Sequence, residues 1–209
     1  MRQIIILLGI LFAVSTADAG DGWYLPILVE NRRSFESIRL TKIGAFGLMR
    51  KARPGIPAHL HTGMDIKRPR ENYHNEPVFP VAKGEVISIR DDGAFAQVII
   101  AHEIERKKVW SVYEHIAGIR VRVGEWAHPF QPVGRFMNQE ELNRYGRHFN
   151  HVHLEIMKSA PIKLNPDTKK PARFFGTYCL VCYTPSDLAK HYFNPKQFLE
   201  SQWTDSGEE

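Results

Sequence analysis

His61-Thr62-Gly63-Met64-Asp65 sets an imidazole and a carboxylate four residues apart. In an extended chain even spacing puts both side chains on one face, and Gly63 between them leaves that face open. An ion could sit there against bare backbone. His151-Val152-His153 repeats the logic: two imidazoles at i and i+2 point the same way from a strand, while Val152, Leu154 and Ile156 face a core. Tyr113-Glu114-His115 closes a strongly apolar strand and His102 closes the one before it, and strand ends are where side chains reach a cleft. Each short motif alone arises easily by chance in a chain with ten histidines. The blander alternatives are a polar strand face carrying solvated histidines and, for His102, a loop-flanking surface residue.

Strands must position these groups, and strand signals dominate residues 64–157. Val78-Phe79-Pro80-Val81 and Glu85-Val86-Ile87-Ser88-Ile89 flank Lys83-Gly84 as in a short hairpin. Gln97-Val98-Ile99-Ile100-Ala101 and Val109-Trp110-Ser111-Val112-Tyr113 are the most β-branched or aromatic runs, with a charged loop from Glu103 to Lys108 between them. Ile119-Arg120-Val121-Arg122-Val123 alternates apolar and cationic residues and predicts a half-buried strand. Helix signals are few. One short helix is expected over 139–145. Thr184-Pro185-Ser186-Asp187 and Asn194-Pro195-Lys196-Gln197 each place a capping side chain, Pro at the first helical position and an acceptor three residues after the cap. The pattern predicts an all-β protein: an antiparallel sheet or sandwich with a few short C-terminal helices.

Composition narrows the class. With 209 residues, 43% of them hydrophobic and 24% charged, the chain can bury one good core, and collagen-like, coiled-coil and disordered readings drop out. Two cysteines exclude a disulfide-dense scaffold. The net charge of +5 suggests polyanionic surroundings, but no basic stripe interleaved with aromatics is present, so no nucleic-acid partner is expected. Arg2, an apolar run over 4–14 and Ala17-Asp18-Ala19 read as a secretory signal over 1–19, the run being too short to span a bilayer. The expected product is an exported protein, periplasmic or secreted and associated with the cell wall, without a stable membrane anchor after cleavage.

The motifs recur in a definite order. Phe46-Gly47-x-x-Arg50 is followed by His61-x-Gly63-x-Asp65, then Pro77-Val78, Gly84-Glu85-Val86 and the strand ending at His102. After these come Tyr113-x-His115, Val123-Gly124, Val133-Gly134 and His151-x-His153-Leu154-Glu155. This set resembles the lysostaphin-like (LytM-type) zinc metallopeptidases, which cut peptides of bacterial peptidoglycan. The resemblance implies His61, Asp65 and His153 as ligands of one zinc ion per chain, and His115 and His151 as catalytic histidines beside it. Two histidines and a carboxylate leave a fourth position for water, the catalytic rather than the structural pattern of zinc. The implied activity is hydrolysis of peptidoglycan peptides by a monomer through a metal-activated water. The alternative is a non-catalytic peptidoglycan-binding or regulatory module, which commonly lacks one of these residues, whereas all five are present here.

The implied organisation is a lead-in over 20–43, the peptidase domain over 44–160, an insertion with closing helices over 161–203 and a frayed tail over 204–209. Two departures from the family pattern stand out. The segment 138–150 before the final histidine pair is long and charged, with Arg147 and His148 either contacting substrate carboxylates or solvated. The insertion carries Cys179-Leu180-Val181-Cys182, which lacks the second pair of a zinc ribbon and the context of a redox motif, so a local disulfide is expected.

Overall fold

The structure is a computed structural model that describes residues 22–204. The predicted signal segment and residues 205–209 of the tail lie outside the described residues, and Thr204 ends a helix. The strand runs form one antiparallel sheet of seven strands: β1 (Met64–Lys67), β2 (Gly84–Arg90), β3 (Gln97–Ile104), β4 (Lys107–Glu114), β5 (Trp126–Ala127), β6 (His151–Met157) and β7 (Tyr192–Phe193). Their order is β7-β6-β4-β3-β2-β5, and β1 pairs the N-terminal half of β6. The two most β-branched runs become the central pair, β3 and β4. Their connection is tighter than the expected charged loop, because Glu103 pairs with Lys108 across the ladder. Only Glu105 and Arg106 turn the chain, with φ of +47° and +65°, the left-handed geometry that matches the strand twist.

Alternation along these strands feeds two cores. Val98, Ile100 and Tyr113 face a large cluster with Met64, Val86, Val152 and Leu154. Ile99, Val112 and Met157 face the opposite way, against Leu60, Leu188 and Tyr192. The insertion covers this second face through Phe175, Tyr178 and the fully buried Cys182. The helices fall where expected, α2 and α3 directly after their predicted caps: α1 (Gln139–Tyr145), α2 (Pro185–His191) and α3 (Pro195–Thr204). Asn138 with Glu141 and Thr184 with Asp187 close reciprocal capping boxes at α1 and α2. No helix among the described residues is long and apolar enough to cross a membrane.

Several expectations need correction. Pro77–Val78 does not form a hairpin with β2 but pairs with Gly134–Phe136, which in turn pairs with Ile116–Ala117. Pro80, lacking an N–H, cannot continue a ladder towards Lys83. The run Ile119 to Val123 is not a strand: it is held by single bonds from Arg120 N to Val133 O and Gly124 N to Val86 O, with Val121 its buried member. The lead-in is irregular in path yet enters the main core, where Trp23, Leu25 and Ile27 are buried. Cys179 and Cys182 are free thiols rather than a disulfide. Cys182 is drawn into the second core, where its thiol donates to Tyr178 O at 3.4 Å.

Candidate metal centre

Register builds the centre. His153 lies directly opposite Asp65 on β1 and Glu114 on β4. Directly opposed residues share a face with their Cβ atoms about 5 Å apart. His61 joins them from the chain just before β1, with its N–H donating to Leu48 O at 2.9 Å and its carbonyl accepting from Gly47 N at 2.8 Å. Gly63 allows this convergence: a Cβ there would stand 2.3 Å from Leu154 O and 2.9 Å from the His153 ring. The glycine thus lets the chain lie against β6, which is a stricter demand than leaving a face open.

His61 Nε2, Asp65 Oδ1 and His153 Nδ1 point at one another. His61 Nε2 is 3.0 Å from both other atoms, and His153 Nδ1 is 2.8 Å from Asp65 Oδ1. All three residues are buried, and among the described residues they form a group able to hold a metal ion. Tetrahedral zinc with bonds of 2.0–2.1 Å sets its donors about 3.3 Å apart. A spreading of a few tenths of an ångström therefore makes room for the ion. The outer nitrogens support the same reading. His61 Nδ1 bonds to Ala45 O at 2.9 Å and His153 Nε2 to Glu155 Oε1 at 3.2 Å, which leaves the inner nitrogens free to donate lone pairs. The donor set and its orientation fit zinc.

Charge around the cluster is tightly coupled. Burial opposes ionisation of Asp65, but hydrogen bonds from His153 and His61 outweigh it and hold the carboxyl well below the usual range. Burial likewise opposes protonation of His153, yet its bonds to Asp65 and Glu155 raise it. His61 is lowered, chiefly by burial. Arg50 Nη2 donates to Asp65 Oδ2 at 2.7 Å and fixes the carboxylate so that Oδ1 faces the histidines. Thr62 Oγ1 donates to Glu155 Oε1 behind His153.

His115 and His151 stand beside the trio, their ring centroids 4.9 Å apart. Burial lowers His115 to about 3 and His151 to about 4, so both are neutral near pH 7. His115 has φ of +63°, a costly conformation for a residue with a side chain and one that clusters at functional sites. Its Nδ1–H donates to Ala94 O at 2.6 Å, which leaves Nε2 bare. Phe149 packs on His115 at 4.7 Å and Phe95 on Phe149 at 5.5 Å, forming an aromatic wall after α1.

All five predicted site residues therefore converge. His102 does not join them. It is a core histidine that bonds to Lys83 O at 2.8 Å and to Ser111 Oγ at 2.7 Å. Arg147 and His148 are exposed, with Arg147 bonded to Asn143 and the His148 ring packed on Phe149. Arg50, Thr62 and Phe149 contribute without having been assigned roles. Of these, only Arg50 carried a sequence signal, as the last residue of the Phe46-Gly47-x-x-Arg50 motif.

A family model, Peptidase family M23, matches residues 59–166, a span that includes all five residues. No curated protein matches the chain. Among solved structures, a zinc-containing peptidase from Vibrio cholerae is 20% identical, with 66% of this chain and 37% of that chain covered and a TM-score of 0.45. The antimicrobial peptidase lysostaphin from Staphylococcus simulans is 16% identical over 82% of this chain and 54% of that one, with a TM-score of 0.46. The catalytic domain of a prophage-encoded M23 protein from Enterococcus faecalis is 22% identical over 58% and 86%, with a TM-score of 0.38. The chain thus spans about a third to a half of the length of the first two.

Proposed function

The chain belongs to peptidase family M23, with the motifs of its LytM type, and from that premise we propose that it is a zinc-dependent endopeptidase acting on the peptides of bacterial peptidoglycan. The observation that carries the reading is the convergence of two imidazole nitrogens and a carboxylate oxygen within 3.0 Å, with two neutral histidines against them. His61, Asp65 and His153 would hold one zinc ion. When bound, the metal supplies a Lewis acid that polarises the scissile carbonyl and acidifies water.

The protein's own groups supply the rest. Arg50 and Glu155 orient Asp65 and His153. His115, tied at Nδ1, presents Nε2 as a proton acceptor. His151 and His115 between them take the proton from water, stabilise the oxyanion and return a proton to the leaving amine. The net charge of +5 suits an anionic wall. Export through the 1–19 segment and a catalytic unit over 44–160 buttressed by the insertion belong to the same proposal.

The test is hydrolysis of purified wall material. New amino groups should appear, disappear with a chelator and return with zinc, and be lost in His115→Ala. Wall binding without cleavage by the zinc-loaded protein would instead make it a non-catalytic binding module.

A further inference from the structure

We propose that the sheet carries a second site, a trough for a neutral oligosaccharide, on the face it shares with the metal centre. Register sets Trp126, Glu85, Ala101 and Trp110 in one row across β5, β2, β3 and β4. Opposed residues share a face, so the two indoles rise from the same side, three strand spacings or about 14 Å apart. Between them the small Ala101 keeps the floor low. Trp110 is half-buried against the second core, whereas Trp126 is 57% exposed on a two-residue edge strand. A cleft of about 520 Å³ opens beside Trp126, lined on this face by Glu85, Ala101, Glu103 and Lys108, with Lys83, and from the main-core side by Trp23 and His102; Trp110 lies outside its lining. An indole left this open beside a concavity offers a ligand a broad apolar face with a polar N–H at its edge.

The surrounding charges select the occupant. Lys83 and Lys108 balance Glu85 and Glu103, so the trough is neutral in a chain whose net charge is +5. A polyanion would meet two carboxylates here, and an apolar peptide or lipid would bury four charges without partners. A pyranose offers what the site lacks: C–H faces to lie on an indole, and edge hydroxyl and amide groups for the lysines and carboxylates. A cleft of this volume beside one open indole has room for more than one linked ring. N-acetylated hexosamine oligomers meet each requirement.

The identity of that saccharide rests on the peptidoglycan reading, in which a glycan strand carries the peptides. Trp110 and Ala101 face the same side of the sheet as Glu114 and His153. Ala101 lies four residues along β3 from Gln97, which opposes Glu114 beside the centre, a separation of about 14 Å. A peptide of about five extended residues reaches about 17 Å. One bound strand could therefore present its peptide across the insertion to the metal centre.

The probe is an N-acetylglucosamine hexamer titrated into the full chain, followed by calorimetry and tryptophan fluorescence. Saturable binding is expected, weakened about tenfold or more in Trp126→Ala. The variant should keep its melting temperature and its turnover of a glycan-free cross-linked peptide, while cleaving intact wall more slowly. Trp126→Phe, which keeps an aromatic face, should bind better than Trp126→Ala. No binding of the hexamer, equal binding by Trp126→Ala, or tighter binding of a sulfated polysaccharide than of the neutral hexamer at the same site would each overturn the proposal. Hexamer binding lost in Trp126→Ala, by a chain that cleaves no wall, would uphold the trough and refute the hydrolase reading.

Discussion

Replacing Arg68 with Met probes how the segment before the final histidine pair is held. Arg68 is 4% exposed, and its guanidinium donates to Asn150 Oδ1 at 2.8 Å, to His74 O at 3.0 Å, to Glu76 and to Met137 O. The rings of Tyr73 and Phe136 flank it. One side chain thus ties the 73–76 loop, the residue before the α1 cap and the residue before His151. Met keeps most of the stem's volume but orphans the Glu76 carboxylate, and breaking a buried pair from one side costs about 3–5 kcal/mol. For a domain whose total stability is about 5–15 kcal/mol this is a large fraction, equivalent to roughly 10 °C in melting temperature. The double variant Arg68→Met/Glu76→Leu leaves the same three unsatisfied acceptors as the single one but removes the orphaned charge, so it should recover part of the loss. Urea unfolding at one fixed zinc concentration measures both, since bound metal adds stability by mass action. A loss below about 1 kcal/mol in the single variant, or an equal loss in the double, would show that Arg68 and Glu76 do not form a stabilising buried pair.

Three further outcomes are expected. Burial lowers His102 to about 4 from an unfolded value near 6.5, so the unfolded chain binds the extra proton first as pH falls. Its contribution is complete above about pH 6.5 and is lost towards pH 4, by about 3 kcal/mol, and urea titrations across that window should show a shallower slope in His102→Gln. Gly63→Ala should break the β1–β6 approach, because its new methyl would meet Leu154 O, and metal retention and melting temperature should fall together. Arg50→Leu should weaken zinc affinity about 10–100-fold with the fold intact, read by competition with a chelator, because Asp65 loses the partner on Oδ2. Unchanged affinity in that variant would assign Arg50 a role away from the metal.

What the sequence declared depended on how local the cause was. Capping at Thr184 and Asn194 is written within four residues, and both helices start as expected. The central strands announce themselves by β-branching. Pairing partners are set by distant chain, so Val78 found Gly134 and not β2. Trp23, Leu25 and Ile27 did carry an alternating signal, hidden by Tyr24 and Pro26 between them. The five candidate residues were legible as an ordered motif, and the register His153↔Asp65 gives that order its physical meaning. Thr62, behind Glu155, and Phe149, on His115, act through contacts across the fold, which spacing along the chain does not encode. The role of the insertion was equally illegible, because covering the second core requires knowing where that core lies.

In the proposed metal centre His61, Asp65 and His153 would hold one ion while His115 and His151 would not. Zinc per chain, measured by native mass spectrometry on the unmodified protein and on single alanine variants, tests it most directly. One zinc is expected in the unmodified chain, near zero in His61→Ala, Asp65→Ala and His153→Ala, and one in His115→Ala. A zinc-free unmodified chain, or equal metal loss in His115→Ala, would contradict it.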